Sequence, residues 1–71
     1  MKTEKMVMMA NQIASFFASQ PGDGQAAGVA AHINDFWEPR MRAQLIAHVA
    51  AGGAGLHPLV LEAMDQVHVP A

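Results

Sequence analysis

The sequence contains no cysteine. That absence closes the disulfide route, removes iron–sulfur and thiolate zinc sites, and agrees with a reducing cytoplasm. Strong charge of either sign is missing as well: four Lys and Arg against six Asp and Glu leave a formal net charge of −2. That balance argues against a nucleic-acid partner, which asks for a basic surface to neutralise phosphates. No stretch approaches the roughly 18 continuous apolar residues of a membrane span. The apolar run Met6 to Ala10, closed by Asn11 and Gln12, is too short for the core of a signal peptide. Length removes most of what remains of enzyme space, because 71 residues make one small domain without a separate substrate-binding lobe.

What is present is apolar but small. Ala supplies 14 and Met 6 of the hydrophobic residues, leaving Leu, Ile, Val, three Phe and one Trp to build a core. That stock supports a folded but marginal domain, and chains of this size usually need a disulfide, a metal or a partner for stability. With no cysteine, a protein partner is the expected staple.

Gly and Pro fall in clusters and divide the chain into four helical segments, at about 3–19, 25–37, 39–51 and 58–68, within one domain spanning 1–71. The fold class is therefore all-α: three main helices plus a short C-terminal one. In the first, Met6, Met9, Ile13, Phe16 and Phe17 line one face. Thr3 is placed to cap its start by accepting an orphan amide, and Glu4 suits the positive end of the helix dipole. Asp23 or Gly24 opens the second segment, whose stripe is Ala26, Val29 or Ala30, Ile33, and Phe36 or Trp37. Gly28 within that stripe lets another helix approach closely. Pro39 sets a corner after Trp37 and takes the first position of the third helix. Met41, Leu45 and Val49, with Ile46 and His48, form the buried side of that helix, and Gly52 is its left-handed terminator. Pro58 repeats the start signal for a last helix with the stripe Leu59, Val60, Ala63, Met64 and Val67, ending before Pro70.

Chemistry is hard to assemble from these residues. His32 and Asp35, three apart on one helix, make at most half a metal site, and solvated or hydrogen-bonded histidines are the better reading. His57 directly before Pro58 reads as a helix-opening residue rather than a base. No activated hydroxyl or thiol stands beside an oriented base, so no catalytic residue is assigned. The turns Gly22-Asp23-Gly24 and Gly52-Gly53-Ala54-Gly55 lack the strand and the Lys-Ser/Thr pair of a phosphate loop. Met6, Met8 and Met9 read as core or interface filler rather than a copper site.

The segment Asp35-Phe36-Trp37-Glu38-Pro39-Arg40-Met41-Arg42 is different, because two aromatics meet a proline corner beside two guanidinium groups. Trp and Arg are the side chains most enriched at interface hot spots. Equally, Phe36 and Trp37 fill a core while Arg40 pairs with Glu38 or Asp35 at the surface, and both readings can hold together.

The string from Phe36 to Arg42, followed by Leu45-Ile46-Ala47-His48-Val49-Ala50-Ala51-Gly52-Gly53-Ala54-Gly55-Leu56 and Pro58-Leu59-Val60, resembles the delta subunit of NAD-dependent, molybdenum-containing formate dehydrogenases. Met9-Ala10-Asn11-Gln12-Ile13 with Phe16-Phe17 is similar to that family too, so the resemblance spans about Met6 to Met64. It implies a non-catalytic accessory subunit of a cytoplasmic complex, supporting assembly or stability of the molybdenum-containing alpha subunit. Formate is oxidised on alpha, and iron–sulfur clusters, FMN and NAD lie on the path through beta and gamma. This chain is expected to bind no cofactor and no metal. The expected docking residues are Trp37, Pro39, Arg40 and Arg42 at the corner, with Leu56, Pro58 and Leu59 from the second string. The alternative is a small helical regulatory or protein-interaction module unrelated to formate oxidation. A DNA-binding helix-turn-helix would need a basic second helix, and only Arg40 and Arg42 stand near such a position.

Overall fold

The first apolar periodicity becomes α1, Thr3–Ala18, in the computed structural model, which describes residues 1–70. Its deepest face is Met6, Ala10 and Ala14, with Met9, Ile13 and Phe17 half-buried beside it. Phe16, expected on this stripe, is 60% exposed. The small Ala10 and Ala14 centre the buried face on themselves, and at 3.6 residues per turn Phe16 lies about 120° round the helix from Ala10. Thr3 does not cap: Lys2 holds the cap position without a side-chain bond, and Thr3 is the first helical residue. Glu4 sits in the first turn as the dipole favours. At the other end Ser19 Oγ donates to Phe16 O at 2.7 Å and Gln25 Nε2 to Gln20 O at 2.7 Å, so side chains satisfy carbonyls where the helix runs out.

Gly24, in the left-handed conformation at φ +85°, rather than the Asp23 side chain, precedes α2, Gln25–Phe36. Val29, Ala30 and Ile33 are its buried face. Gly28 faces α1, and a Cβ there would lie 2.5 Å from Cε1 of Phe17, so the missing side chain makes room for that ring. Trp37 and Glu38 are extended and form the corner, and Pro39 opens α3, Pro39–Ala50, at its first position as expected. Of α3, Leu45 is fully buried, and Met41, Ile46 and Val49 pack on the core around it. The helix closes as expected at Gly52. The Gly53 amide donates to His48 O at 2.9 Å and the Gly52 amide to Val49 O at 3.0 Å, the paired bonds of a Schellman terminus.

Pro58 begins α4, Pro58–Ala63, and His57 caps it, its Nδ1 accepting from the Leu59 amide at 3.0 Å. Here the expected helix to 68 is too long. The chain tightens into a 3-10 turn at Met64–Gln66 and Val67 is extended yet buried. The reason lies on both sides of the break: Pro70 has no N–H to offer the Gln66 carbonyl in a continuing helix, and Asn34 takes up that carbonyl instead. Leu59, Val60, Ala63 and Val67 are buried, with Met64 packed against them.

The helices enclose one core. α1 packs against each of the other three, and α2 packs against α1, α4 and the 3-10 turn. Met6, Val29, Ile33, Leu45 and Val60 are the largest fully buried side chains, while Ala10, Ala14, Ala30 and Ala63 let the helices approach closely.

Candidate docking surface

The corner between α2 and α3 turns its two strongest residues in different directions. Trp37 is only 5% exposed and belongs to the core. Its carbonyl accepts from Arg42 Nη1 at 2.7 Å, and Arg42 Nε donates to His68 O at 3.2 Å, so the half-buried guanidinium ties the corner to the end of the chain. Arg40, two residues earlier and thus about 200° away round α3, is exposed together with Pro39 and Glu38. One arginine is therefore committed to the fold, and the other faces solvent.

The second string divides in the same way. Leu56 and Leu59 are buried in the core, whereas Pro58 is exposed at the start of α4. Of the seven docking residues expected from the sequence, Trp37, Leu56 and Leu59 thus act from the interior and Arg42 from a hydrogen-bonded latch. Pro39, Arg40 and Pro58 are the ones a partner can reach directly.

Two asparagines that the sequence reading passed over hold the architecture together. Asn11 on α1 donates through Nδ2 to Gly55 O at 2.9 Å and accepts at Oδ1 from the His57 amide at 2.8 Å. Asn34 on α2 repeats the arrangement on Gln66 O, at 3.0 Å, and the His68 amide, at 2.8 Å. Each clamps a carbonyl and the amide two residues later, one pair on each side of α4 and its 3-10 turn. Their partners lie more than thirty residues away in sequence, so no local spacing announces them.

Two of the histidines also have neighbours in the fold. His48 Nε2 donates to Ala54 O at 2.8 Å, steadying the glycine turn that follows α3. His32 lies against Phe36 with ring centroids 4.7 Å apart, and among the described residues no three His, Cys, Asp or Glu side chains gather as a metal-binding group. Met6 is buried while Met8 is exposed, so these thioethers do not converge on one site. No helix is long and apolar enough to cross a membrane among the described residues.

A second surface emerges from the two phenylalanines that the core leaves out. Phe36 is 74% exposed, and Phe16 stands on the neighbouring helix above a groove lined by Gln12, Ile13, Phe17 and His32. The wheel position of Phe16 relative to Ala10 and Ala14 is the sequence signal for it.

A family model described as the NADH-dependent formate dehydrogenase delta subunit FdsD matches residues 5–64. No curated protein matches the chain.

Proposed function

Because this chain belongs to the delta-subunit family of NADH-dependent formate dehydrogenases, we propose that it is a non-catalytic accessory subunit supporting assembly or stability of the molybdenum-containing catalytic subunit. The observation that carries this reading is the extent of the match, which runs from the first turn of α1 through α4. It takes in nearly all of α1 and the whole of α2, α3 and α4, so the subunit role is assigned to the helical domain rather than to one segment of it.

The chemistry of the side chains supports the same reading. His48 and His57 are used in turns and caps, and His32 is stacked on a phenylalanine. Iron–sulfur clusters are held by cysteine thiolates, and this chain has no cysteine. In this reading the molybdenum centre, iron–sulfur clusters, FMN and NAD sit on the alpha, beta and gamma partners in the cytoplasm. The delta chain contributes contact surface. Pro39 and Arg40, held outward by the corner, and Pro58 at the start of α4 supply direct contacts. Trp37, Leu56, Leu59 and Arg42 fix the backbone that presents them.

Rigid presentation matters because ordering a flexible arginine on binding costs affinity. A bidentate bond from Arg40 to a partner carboxylate would depend on the planar guanidinium fork, which an ammonium cannot reproduce. Tagged chain purified from cells that also make the dehydrogenase subunits should carry the catalytic subunit with it. Deleting the chain should lower bound molybdenum cofactor and formate oxidation, both restored by supplying it in trans. Unchanged molybdenum content and activity after deletion, with no catalytic subunit captured, would refute the accessory role. Arg40→Lys and Arg40→Ala should both weaken capture while leaving the helical spectrum intact.

A further inference from the structure

The turn Gly22-Asp23-Gly24 between α1 and α2 sets an aspartate directly before a glycine, the one such pairing of Asp or Asn with Gly in the sequence. Residues 21–24 are all exposed, and both glycines hold the left-handed region, at φ +90° and +85°. A Cβ added at either would meet nothing within 4 Å, so open space surrounds the peptide that joins Asp23 to Gly24. Among the described residues no side-chain bond caps α2 and no turn bond engages the Gly24 amide, so the Asp23 carboxyl group and that amide are left to react with each other. The other Asp and Asn residues stand differently. Asn11, Asn34 and Asp35 lie within α-helices and Asp65 within the 3-10 turn, and each is followed by a residue with a side chain. There helical geometry holds the next amide nitrogen and a Cβ screens it, whereas glycine has no Cβ to stand in the way.

We propose that the Asp23–Gly24 peptide is a modification site, at which the chain forms isoaspartate. The Gly24 nitrogen bonds to Cγ of the protonated Asp23 side chain, the amide hydrogen and the carboxyl hydroxyl leave together as water, and a five-membered cyclic imide closes. Water then adds to the main-chain carbonyl carbon of Asp23, and the original bond from that carbon to the Gly24 nitrogen breaks. The chain now runs through Cβ and Cγ, and the old carbonyl carbon ends as a free α-carboxylate. One water leaves and one returns, so mass and the net charge of −2 are unchanged and no oxidant or cofactor takes part. Gln25 Nε2 on Gln20 O at 2.7 Å and the Gly28 amide on Gly24 O at 2.9 Å pin the two sides of the turn. The extra methylene is taken up between them, where residues 21–24 bury nothing, and the helices keep their packing.

The test incubates the untagged full-length chain at neutral pH and physiological temperature and reads isoaspartate in two ways. Electron-transfer fragmentation locates it, and methyl transfer from labelled S-adenosylmethionine to the freed carboxylate, by a purified isoaspartyl methyltransferase, counts it. Isoaspartate should appear at Asp23 about tenfold faster, or more, than at Asn11, Asn34, Asp35 or Asp65, as a lower barrier at an open glycine peptide requires. Asp23→Glu keeps the charge but must close a six-membered ring, and should lower methyl incorporation by about tenfold or more. The position is exposed, so that variant should keep the wild-type helical spectrum, as should the modified wild-type chain. A parallel incubation in guanidinium separates the turn from the bare dipeptide: Asp23 in the folded chain should react within about threefold of its rate in the unfolded one. A smaller lead over the other sites, a greater slowing on folding, full methyl incorporation by folded Asp23→Glu, or helix lost in step with isoaspartate overturns the proposal.

Discussion

Replacing Gly28 by alanine sets two opposed effects against each other at one atom. In an exposed helix the change would stabilise by about 1 kcal/mol, because alanine removes the conformational freedom that glycine loses on folding. Here the new Cβ would fall 2.5 Å from Cε1 and 2.6 Å from Cδ1 of Phe17, where comfortable carbon contacts are about 3.5–4.0 Å. The ring must retreat by about 1 Å. It cannot do so without disturbing Phe16, packed edge-on against it at 5.1 Å. Overpacking of this kind costs about 1–3 kcal/mol, so the net expectation is destabilisation of about 0–2 kcal/mol, the difference of the two. A domain of this size loses about 4–8 °C of melting temperature per kcal/mol. Thermal melts followed by circular dichroism would read it directly, and a cycle with Phe17→Leu would isolate the cause. With the ring gone, Gly28→Ala should become stabilising by close to 1 kcal/mol. Should Gly28→Ala raise stability by that amount in both backgrounds, the glycine is not there for the ring and the account of how α1 meets α2 is wrong.

Asn11→Ala and Asn34→Ala should each destabilise by about 1–3 kcal/mol, since each removes two hydrogen bonds and strands a carbonyl and an amide; urea unfolding midpoints equal to wild type would refute the clamp. Arg42→Lys should cost about 1 kcal/mol through loss of the paired bonds to Trp37 and His68. Arg40→Lys should move the isolated chain's stability by less than about 0.5 kcal/mol, and the reverse ranking in melting experiments would contradict the latch. Trp37→Ala, at a cost of about 3–5 kcal/mol, should leave the isolated chain largely unfolded at 25 °C, and a native-like helical spectrum with a cooperative melt would show that Trp37 is not a core residue.

The helices were readable because their boundaries are written in local chemistry. Pro39 and Pro58 sit at first helical positions, and Gly52 closes α3 through bonds that span only five residues. His57 was legible as a helix-opening residue for the same reason. Side-chain direction was harder to read. The α1 stripe looked equally good with Phe16 inside, because periodicity counts apolar residues and does not register that Ala10 and Ala14 draw the partner helices to their own side. The early end of α4 depends on Asn34, a residue of another helix, and the asparagine clamps depend on tertiary placement throughout. At the corner, Arg40 and Arg42 are equivalent in composition, and only their angular separation on α3, set against the position of the chain end, decides which one is committed to the fold.

The asparagine clamps also order events in time. The carbonyl and amide that Asn11 binds are synthesised 44 and 46 residues after it, and Leu56, Leu59, Val60, Ala63 and Val67 complete the core only when the last part of the chain is available. A growing polypeptide that has reached the end of α3 therefore has the inner faces of its first two helices only partly covered and their asparagine amides unmatched. Long loops of this kind must close before any of their contacts repay the lost chain entropy. The core therefore cannot close before residues 55–67 are available, and a nascent chain stalled before residue 56 presents to chaperones and proteases the surfaces that the folded domain hides.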